Sequence, residues 1–342
     1  MLLMNFSKYI ESWLFDKDGY YCNYKDIGKE GDFWTAVSAS MFFGGTVAKK
    51  IIDTIEQNIL PKDTTIVEIG AHAGYLMADI IQFIYTLKPK LLESLKFVIV
   101  EQNKAMLKKQ KEYINKCFGD KLNIKFVANI KDIKLPSAFI VANELFDTFI
   151  CELVWTNKQN KLQKAVAKNH TIKFVDFDKE DKYIKEICDK YNITKGEVSL
   201  GFEDFAKTLT RSFGKFEFIT FDYGEYYHRQ DFSCRIYKQH KVYAIFEEGL
   251  DIQKFYKNSD ITYDVHFKHL IDSFKSNDIQ KIAYKSLLKA MVEFGMIELL
   301  EILKNKTDEN TYAKHINQVK PILDPAQMGE RFKMAHFRFS SK

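Results

Sequence analysis

Two glycines four residues apart interrupt the stretch TTIVEIGAHAGYLMADI (64–80), in which a short apolar run gives way to a helical pattern. Gly70 and Gly74 lie at the predicted turn between that strand and its helix. Without side chains, the backbone of such a turn can adopt unusual dihedral angles and approach a ligand closely. Because ligands of open α/β sheets bind beyond the carboxyl ends of the strands, this turn is a candidate cofactor site.

The turn departs from the dinucleotide pattern G-x-G-x-x-G. His72 stands where the second glycine would admit a pyrophosphate, and Tyr75 stands where the third glycine would be. Pyrophosphate is therefore disfavoured, whereas a nucleoside cofactor without phosphates needs only a loose glycine turn for its amino-acid tail. Turns of this kind also occur in α/β folds that bind no nucleotide. We assign His72 no catalytic role.

Two acids accompany the glycines. Glu68, one residue before the end of the first strand, could meet an ammonium group, and Glu101, at the end of the second strand, could accept hydrogen bonds from both ribose hydroxyls. Nicotinamide enzymes use the same strand-ending acid, so Glu101 alone does not distinguish a nicotinamide dinucleotide from a nucleoside cofactor without phosphates. The combination of acid-x-Gly-x-x-x-Gly with a strand-ending acid favours S-adenosylmethionine.

Composition narrows the class of protein without fixing its partner. The 342 residues carry a formal charge of +5 with no long block of one sign, which neither demands nor excludes an acidic partner. The 5 cysteines form no Cys-x-x-Cys pair and the histidines have no ligand spacing, so we expect reduced thiols and no metal site. We find neither a signal-peptide pattern nor a long apolar span. These features predict a cytoplasmic protein with no membrane span and no nucleic-acid partner.

Short apolar, β-branched runs alternate with helical patterns through the first half of the chain. This alternation predicts an α/β fold with a Rossmann-like parallel sheet covered by helices. Strands are predicted at Thr65–Ile69, Lys96–Glu101, Lys125–Ala128, Ala138–Ala142 and Glu217–Phe221, and helices at about Ser38–Ile59, Tyr75–Leu87 and Asn103–Cys117.

The rhythm changes after Asp147, where CELVWTN and TIKFVDFD are typical of antiparallel strands around a polar turn. We predict an inserted α+β subdomain from Ile150 to about Phe213, which would bind substrate or partner. Residues 1–149 and 214–342 would then form the two parts of the core. The tail FKMAHFRF (332–339) alternates like an edge or hairpin strand.

Seven stretches occur in this order along the chain: GDFWTAVSASMFFGG (31–45), VEIGAHAGYLMADI (67–80), VEQNKAMLKKQ (100–110), VANELFD (141–147), TFDYG (220–224), SDITYDVHFKHL (259–270) and MGERFKMAHF (328–337). In that order they resemble the MidA family of S-adenosylmethionine-dependent methyltransferases. The resemblance covers nearly the whole chain and implies a class I methyltransferase fold. It also implies a protein substrate, since mitochondrial members of that family assist respiratory complex I assembly by dimethylating an arginine on one of its subunits.

The chain departs from the family at two places. The family usually has a Gly-Pro-Gly-type turn after its first strand, and it commonly has Thr-Ser-Pro-Glu where this chain has Thr-Ala-Val-Ser from Thr35. Ser40, Phe43 and Gly44 do match. The resemblance and the methyltransferase layout imply a set of cofactor contacts: Thr35, Ser40, Glu68, Gly70, Ala71, Gly74, Glu101, Gln102 and Asn143, with Asn129 and Ile130 beside the adenine.

Methyl transfer to a guanidinium requires acids that orient the acceptor and take its proton. The best placed are at the end of the fourth strand, where Glu144 is the first choice for gripping the guanidinium and Asn143 for holding substrate or cofactor. Asp222, at the end of the fifth strand, would shape the same pocket with Tyr223. Asp147 is equally suited to capping a helix.

Two other functions stay open. The chain could methylate a different nucleophile, or it could be a non-catalytic assembly chaperone that retains the fold. The glycine turn of this chain differs from that of the MidA family, and this difference favours the chaperone.

Overall fold

The computed structural model of the protein describes residues 3–22 and 35–341, so positions 31–34 of the first MidA-like stretch lie outside the described residues. The strands are β1 Met4–Asn5, β2 Thr65–Ile69, β3 Lys96–Val100, β4 Ile124–Val127, β5 Leu135–Asn143, β6 Cys151–Thr156, β7 Leu162–Lys168, β8 Thr171–Asp176, β9 Lys195–Ser199, β10 Phe213–Glu225, β11 Arg235–Lys238, β12 Lys241–Ala244, β13 Asp260–Thr262, β14 Val265–His266, β15 Gln280–Ser286 and β16 Phe332–Ser340. The helices are α1 Phe6–Phe15, α2 Ala36–Ala39, α3 Met41–Glu56, α4 Tyr75–Leu87, α5 Lys104–Phe118, α6 Lys182–Tyr191, α7 Phe202–Ser212, α8 Phe267–Lys275, α9 Leu287–Glu293, α10 Met296–Lys306 and α11 Glu309–Leu323.

These elements form two compact units. The sheet unit contains the described residues within 35–145, 205–222 and 274–341, and the antiparallel unit contains those within 3–22, 146–204 and 223–273. The three-part division at residues 149 and 213 stays a prediction.

The sheet unit carries the predicted mostly parallel sheet. Its strand order is β15-β16-β10-β5-β2-β3-β4, and the five strands predicted from the sequence are all present, with β2 at the predicted bounds. The neighbouring pairs from β10 through β4 are parallel. Their apolar runs are buried, as expected of strands that are covered on both faces. The α/β, Rossmann-like fold class is confirmed.

Because of their register, the parallel strands β2, β3 and β5 end at the same level of the sheet. Ile69 in β2 lies opposite Val100 in β3 and Ala142 in β5. One residue further on, the N–H of Gly70 donates to the carbonyl of Val100 at 3.1 Å. Glu101 is likewise the residue that follows Val100. The glycine turn and the strand-ending acid therefore leave adjacent strands at the same level.

The tail strand has a different position from the one predicted. The stretch FKMAHFRF forms β16, which is antiparallel to β15 as a hairpin strand would be. However, β16 lies between β15 and β10, so it is not at the edge of the sheet. Its buried residues explain why: the alternation predicted from the sequence gives way to a run from Met334 to Phe337 that is buried.

The antiparallel unit is built on β6, β7, β8 and β9. The predicted antiparallel strands are β6 and β8, but both pair with β7, a strand that the sequence analysis did not identify. Residues of α1 and of the region after β10 share one hydrophobic cluster with this sheet, including Trp13, Leu153 and Ile236. The predicted insertion thus packs with chain segments that are distant in sequence.

Among the residues that the structure describes, none of the helices combines the length and the apolar character that a bilayer-crossing segment requires.

Helices α3 and α4 approach closely because two glycines face α4. A Cβ added to Gly44 would lie 2.5 Å from the Cβ of Asp79, and one added to Gly45 would lie 2.5 Å from the Phe83 ring. Glycine is needed where the backbones of two helices come this close. This contact fixes the helix that begins at the glycine turn.

We predict that Gly44→Ala lowers the free energy of unfolding by about 1–3 kcal/mol, because Asp79 cannot move its Cβ without moving α4. Gly45→Ala is the matched control and should cost less, since the Phe83 ring can rotate away. Urea unfolding followed by circular dichroism measures both. In an open helix, alanine would be more stable than glycine by about 1 kcal/mol, so a stabilised Gly44→Ala protein would contradict the close packing.

Candidate cofactor and active site

The glycine turn has a left-handed backbone at three positions. The φ angles are +74° at Gly70, +44° at His72 and +84° at Gly74. Glycine adopts this conformation freely, but at His72 it is unfavourable for a side chain. The turn leads into α4, whose N-cap is Gly74. The chain therefore retains the backbone path of a glycine-rich turn even where its sequence has histidine.

Glu68 is a buried carboxyl group beside this turn. It accepts a hydrogen bond from the backbone N–H of Met77 in the first turn of α4. Burial, together with the neighbouring carboxyl groups of Asp79 and Glu101, raises the pKa of Glu68 to about 8, although the hydrogen bond from Met77 opposes this shift. The Oε2 atom of Glu68 is buried with no hydrogen-bond partner among the described residues. A cationic donor is the ligand that this oxygen lacks.

Glu101 is held in a fixed orientation at the end of β3. Its Oε1 accepts from the N–H of Asn103 at 2.9 Å, and its Oε2 accepts from Nε2 of Gln110 at 3.2 Å. Burial raises the pKa of Glu101, while these donors lower it. Each carboxylate oxygen can accept a second hydrogen bond, so both remain able to bind a hydroxyl group.

Asn143, the last residue of β5, and Glu144, which follows it, form a hydrogen-bonded pair. Asn143 lies opposite Phe221 of β10, and the N–H of Glu144 donates to the carbonyl of Phe221 at 2.8 Å. The Nδ2 of Asn143 donates to Oε1 of Glu144 at 2.9 Å. Glu144 has a φ of +51°, a strained value for a residue with a side chain. The backbone and the amide together fix the direction of this carboxylate.

Asp222 is completely buried within β10, directly after Phe221. The strand continues to Glu225, so Asp222 does not end it as the sequence predicted. The next residue, Tyr223, belongs to the antiparallel unit, where its hydroxyl donates to Asp147 and contacts Oγ1 of Thr262 at 2.6 Å. Burial raises the pKa of Asp147 to about 6, although Tyr223 opposes this shift. Because Asp147 lies inside the short 3-10 turn Phe146–Thr148, it does not cap an α-helix.

Thr35 and Ser40 have local structural roles. The Oγ1 of Thr35 accepts from the N–H of Ser38 at 3.1 Å, which caps α2. The Oγ of Ser40 accepts from the N–H of Phe42 at 3.2 Å, which caps α3. Capping explains the choice of these residue types at both positions. Their contacts with a cofactor stay a prediction.

The residues predicted near the adenine follow β4, and Gln102, a further predicted cofactor contact, follows β3. The Oδ1 of Asn129 accepts from the N–H of Lys131 at 3.0 Å, and the carbonyl of Ile130 accepts from Oγ of Ser212 at 2.9 Å. The side chain of Ile130 is buried, whereas Gln102 is exposed. Their adenine contacts also stay a prediction. Ala71, in the glycine turn, is buried.

Gln110 was not predicted from the sequence, but it contacts two predicted site segments. Its Nε2 also donates to the carbonyl of His72 at 2.7 Å. Gln110 lies on the buried face of α5 with Met106 and Ile114, at helical spacing. A single amide on an otherwise apolar helix face was the available signal.

The chemistry of the unpaired atoms identifies a suitable ligand. Among the described residues, Oε2 of Glu68, Oε1 of Gln110 and Oδ1 of Asn143 are buried atoms that have no hydrogen-bond partner. The amide oxygens of Gln110 and Asn143 are acceptors, and both oxygens of Glu68 are acceptors once its carboxyl group ionises, so the three suit a ligand rich in donors. The ammonium and hydroxyl groups of S-adenosylmethionine meet this requirement, whereas a pyrophosphate offers further acceptors only.

Comparisons with known proteins agree with this cofactor. The Methyltransf_28 model, which describes S-adenosyl-L-methionine-dependent methyltransferases, matches residues 46–284. The zebrafish protein arginine methyltransferase NDUFAF7 is 24% identical over 354 residues, covering 92% of this chain and 78% of its own. The homologue from Drosophila melanogaster is 22% identical over 356 residues, covering 92% and 76%.

A similar solved structure supports the fold. A COG1565 superfamily protein from Burkholderia thailandensis, crystallised with S-adenosyl-homocysteine, superposes with a TM-score of 0.83. The alignment covers 98% of this chain and 88% of that protein at 19% identity. A native crystal structure of a COG1565 superfamily protein from the same organism superposes with a TM-score of 0.81.

We predict that Glu68→Gln changes how stability depends on pH. Between pH 4.5 and about 8 the folded protein keeps a proton on Glu68 that the unfolded chain releases, so the free energy of unfolding falls as pH rises through this window. Glutamine has no such proton. The variant should therefore exceed the native protein in stability at pH 9, by more than about 1 kcal/mol, because one pKa unit corresponds to about 1.4 kcal/mol.

Urea unfolding at pH 5, 7 and 9 measures this difference. The exposed Glu93→Gln variant is the control and should track the native protein at each pH. A Glu68→Gln protein whose stability ran parallel to the native curve would show that Glu68 is ionised in the free protein.

Proposed function

This chain belongs to the Methyltransf_28 family of S-adenosyl-L-methionine-dependent methyltransferases, and from this premise we propose that it methylates a guanidinium nitrogen of a protein arginine. The observation that carries the proposal is the Asn143–Glu144 pair, in which a strained backbone and an amide direct one carboxylate from the end of β5. The names of the NDUFAF7 relatives point to the same acceptor.

The proposed cofactor contacts follow the carboxyl edge of the sheet. Glu68 holds the ammonium group of the amino-acid tail, and Gly70, Ala71 and Gly74 give that tail a close backbone surface. Glu101 accepts the ribose hydroxyls. Gln102, Asn129 and Ile130 flank the adenine, and Thr35 and Ser40 hold the ends of the helices beside it. When bound, S-adenosylmethionine supplies an electrophilic methyl group on a sulfonium sulfur.

The protein's own task is to align the nucleophile and to take its proton. A guanidinium is a poor nucleophile until one nitrogen carries a localised lone pair. Glu144 would bind the guanidinium through charge-assisted hydrogen bonds and accept the proton that leaves during transfer. Asn143 orients Glu144, and Asp222 shapes the same pocket. Fixing both partners in this way converts a bimolecular step into an effectively intramolecular one.

The proposed partner is a protein. The MidA-like stretches favour a respiratory-complex subunit, methylated during assembly. The proposed location is the cytoplasm.

Isotopic transfer tests the acceptor class. The purified protein is incubated with methyl-labelled S-adenosylmethionine and a lysate, and the labelled proteins are hydrolysed to amino acids. We expect label in methylarginine. Label confined to another amino acid or to small molecules would contradict the arginine proposal while leaving methyl transfer intact.

We predict that substitutions at the two acids separate binding from transfer. Glu101→Ala should weaken binding of S-adenosylhomocysteine at least about tenfold, because hydrogen bonds to a charged group contribute about 1.5–3 kcal/mol. Glu144→Ala should leave that affinity within about threefold and reduce transfer more than about a hundredfold. Calorimetry and the label assay measure the two effects.

Glu144→Gln is the matched control for the strained backbone, since it keeps the size of the side chain and removes only the charge. It should lose transfer as Glu144→Ala does. If the variants at positions 101 and 144 lost binding and transfer in the same proportion, the proposed division of roles would be wrong.

A further inference from the structure

Gln110 joins two parts of the cofactor site that are far apart in sequence. Its Nε2 donates to the carbonyl of His72 at 2.7 Å and to Oε2 of Glu101 at 3.2 Å. His72 belongs to the glycine turn after β2, and Glu101 follows β3. One primary amide thus uses both of its N–H groups to connect the proposed tail subsite with the proposed ribose subsite.

The contact is built into the packing of the turn. Gln110 is fully buried, and a Cβ added to Gly74 would lie 3.7 Å from its Cγ. Burial deprives the amide of water, so its hydrogen bonds to the turn and to the carboxylate are difficult to replace. The side chain therefore restrains the left-handed conformation at His72, which is unfavourable on its own.

A second observation points to a bound molecule. The Oε1 of Gln110 is buried and has no hydrogen-bond partner among the residues that the structure describes. A buried amide of purely structural purpose would be expected to have its oxygen satisfied as well. The unused acceptor suits a donor from a ligand that lies between the turn and Glu101.

We propose that Gln110 is a positioning residue that couples the two halves of the cofactor site. By holding the His72 carbonyl and the Glu101 carboxylate in one geometry, it prepares the tail and ribose subsites together, so that occupation of one favours occupation of the other. This inference rests on the proposed ribose contact of Glu101. It is independent of which acceptor receives the methyl group.

Two probes separate the halves of the site. S-adenosylhomocysteine carries the amino-acid tail and the ribose, whereas 5′-methylthioadenosine carries the ribose without the tail. Gln110→Met keeps the length of the side chain and suits the apolar face of α5, while it removes both donors. Gln82→Met, on the exposed face of α4, is the matched control. Calorimetry on the full chain gives the dissociation constants, and thermal melting of the free protein confirms folding.

We expect Gln110→Met to weaken binding of S-adenosylhomocysteine about tenfold to a hundredfold, because two buried hydrogen bonds that shape the site are lost. Binding of 5′-methylthioadenosine should weaken less, because this probe has no amino-acid tail and depends only on the ribose half of the site. The control should leave both affinities unchanged. A folded Gln110→Met protein that bound S-adenosylhomocysteine within about twofold of the native affinity would overturn the proposal.

Introducing Gln110→Met into the Glu101→Ala variant distinguishes coupling from a purely structural role of Gln110. In that background, Gln110→Met should have no further effect on 5′-methylthioadenosine, because its route to the ribose has been removed, but it should still weaken S-adenosylhomocysteine through the turn. Equal further losses for both probes would indicate general damage to packing and would overturn the coupling. If Glu101→Ala alone left 5′-methylthioadenosine binding unchanged, the ribose contact itself would be wrong, which is a separate failure.

Discussion

The backbone register between parallel strands is the constraint on which the site depends. Ile69, Val100 and Ala142 lie side by side, so β2, β3 and β5 reach the same edge of the sheet at the same level. The strand register therefore fixes the relative positions of the residues that follow these strands. Backbone hydrogen bonds between the strands, and not side-chain hydrogen bonds, bring together the glycine turn, the acid at Glu101 and the Asn143 amide.

Burial gives this edge its chemistry. The carboxyl groups of Glu68 and Asp79 have pKa values raised to about 8 and about 7, mainly because they are removed from water. Neutral acids and unpaired acceptors are costly in a folded protein, and a cationic, donor-rich ligand relieves that cost. S-adenosylmethionine bound as proposed would relieve this cost, whereas a pyrophosphate would bring further acceptors.

Local sequence patterns were sufficient to predict the strands and helices that those patterns themselves form. The bounds of β2 and α4 were predicted correctly, because an apolar β-branched run, a glycine turn and helical periodicity adjoin one another in the chain. The acids at positions 68 and 101 could be identified because they lie within one residue of a strand end. What they contact could not be predicted, since Gln110 reaches the glycine turn across 38 positions of sequence. The pairing of β7 with both β6 and β8, and the packing of α1 with the inserted region, depend on similarly distant contacts.

The most direct measurement is a crystal structure of this protein with S-adenosylhomocysteine. We expect the ribose hydroxyls to donate to the carboxylate of Glu101, the ammonium group to lie at the glycine turn beside Glu68, and the amide of Gln110 to keep its bond to the His72 carbonyl. A nucleoside bound away from the carboxyl ends of β2 and β3, or a ribose that makes no contact with Glu101, would contradict the proposed cofactor site.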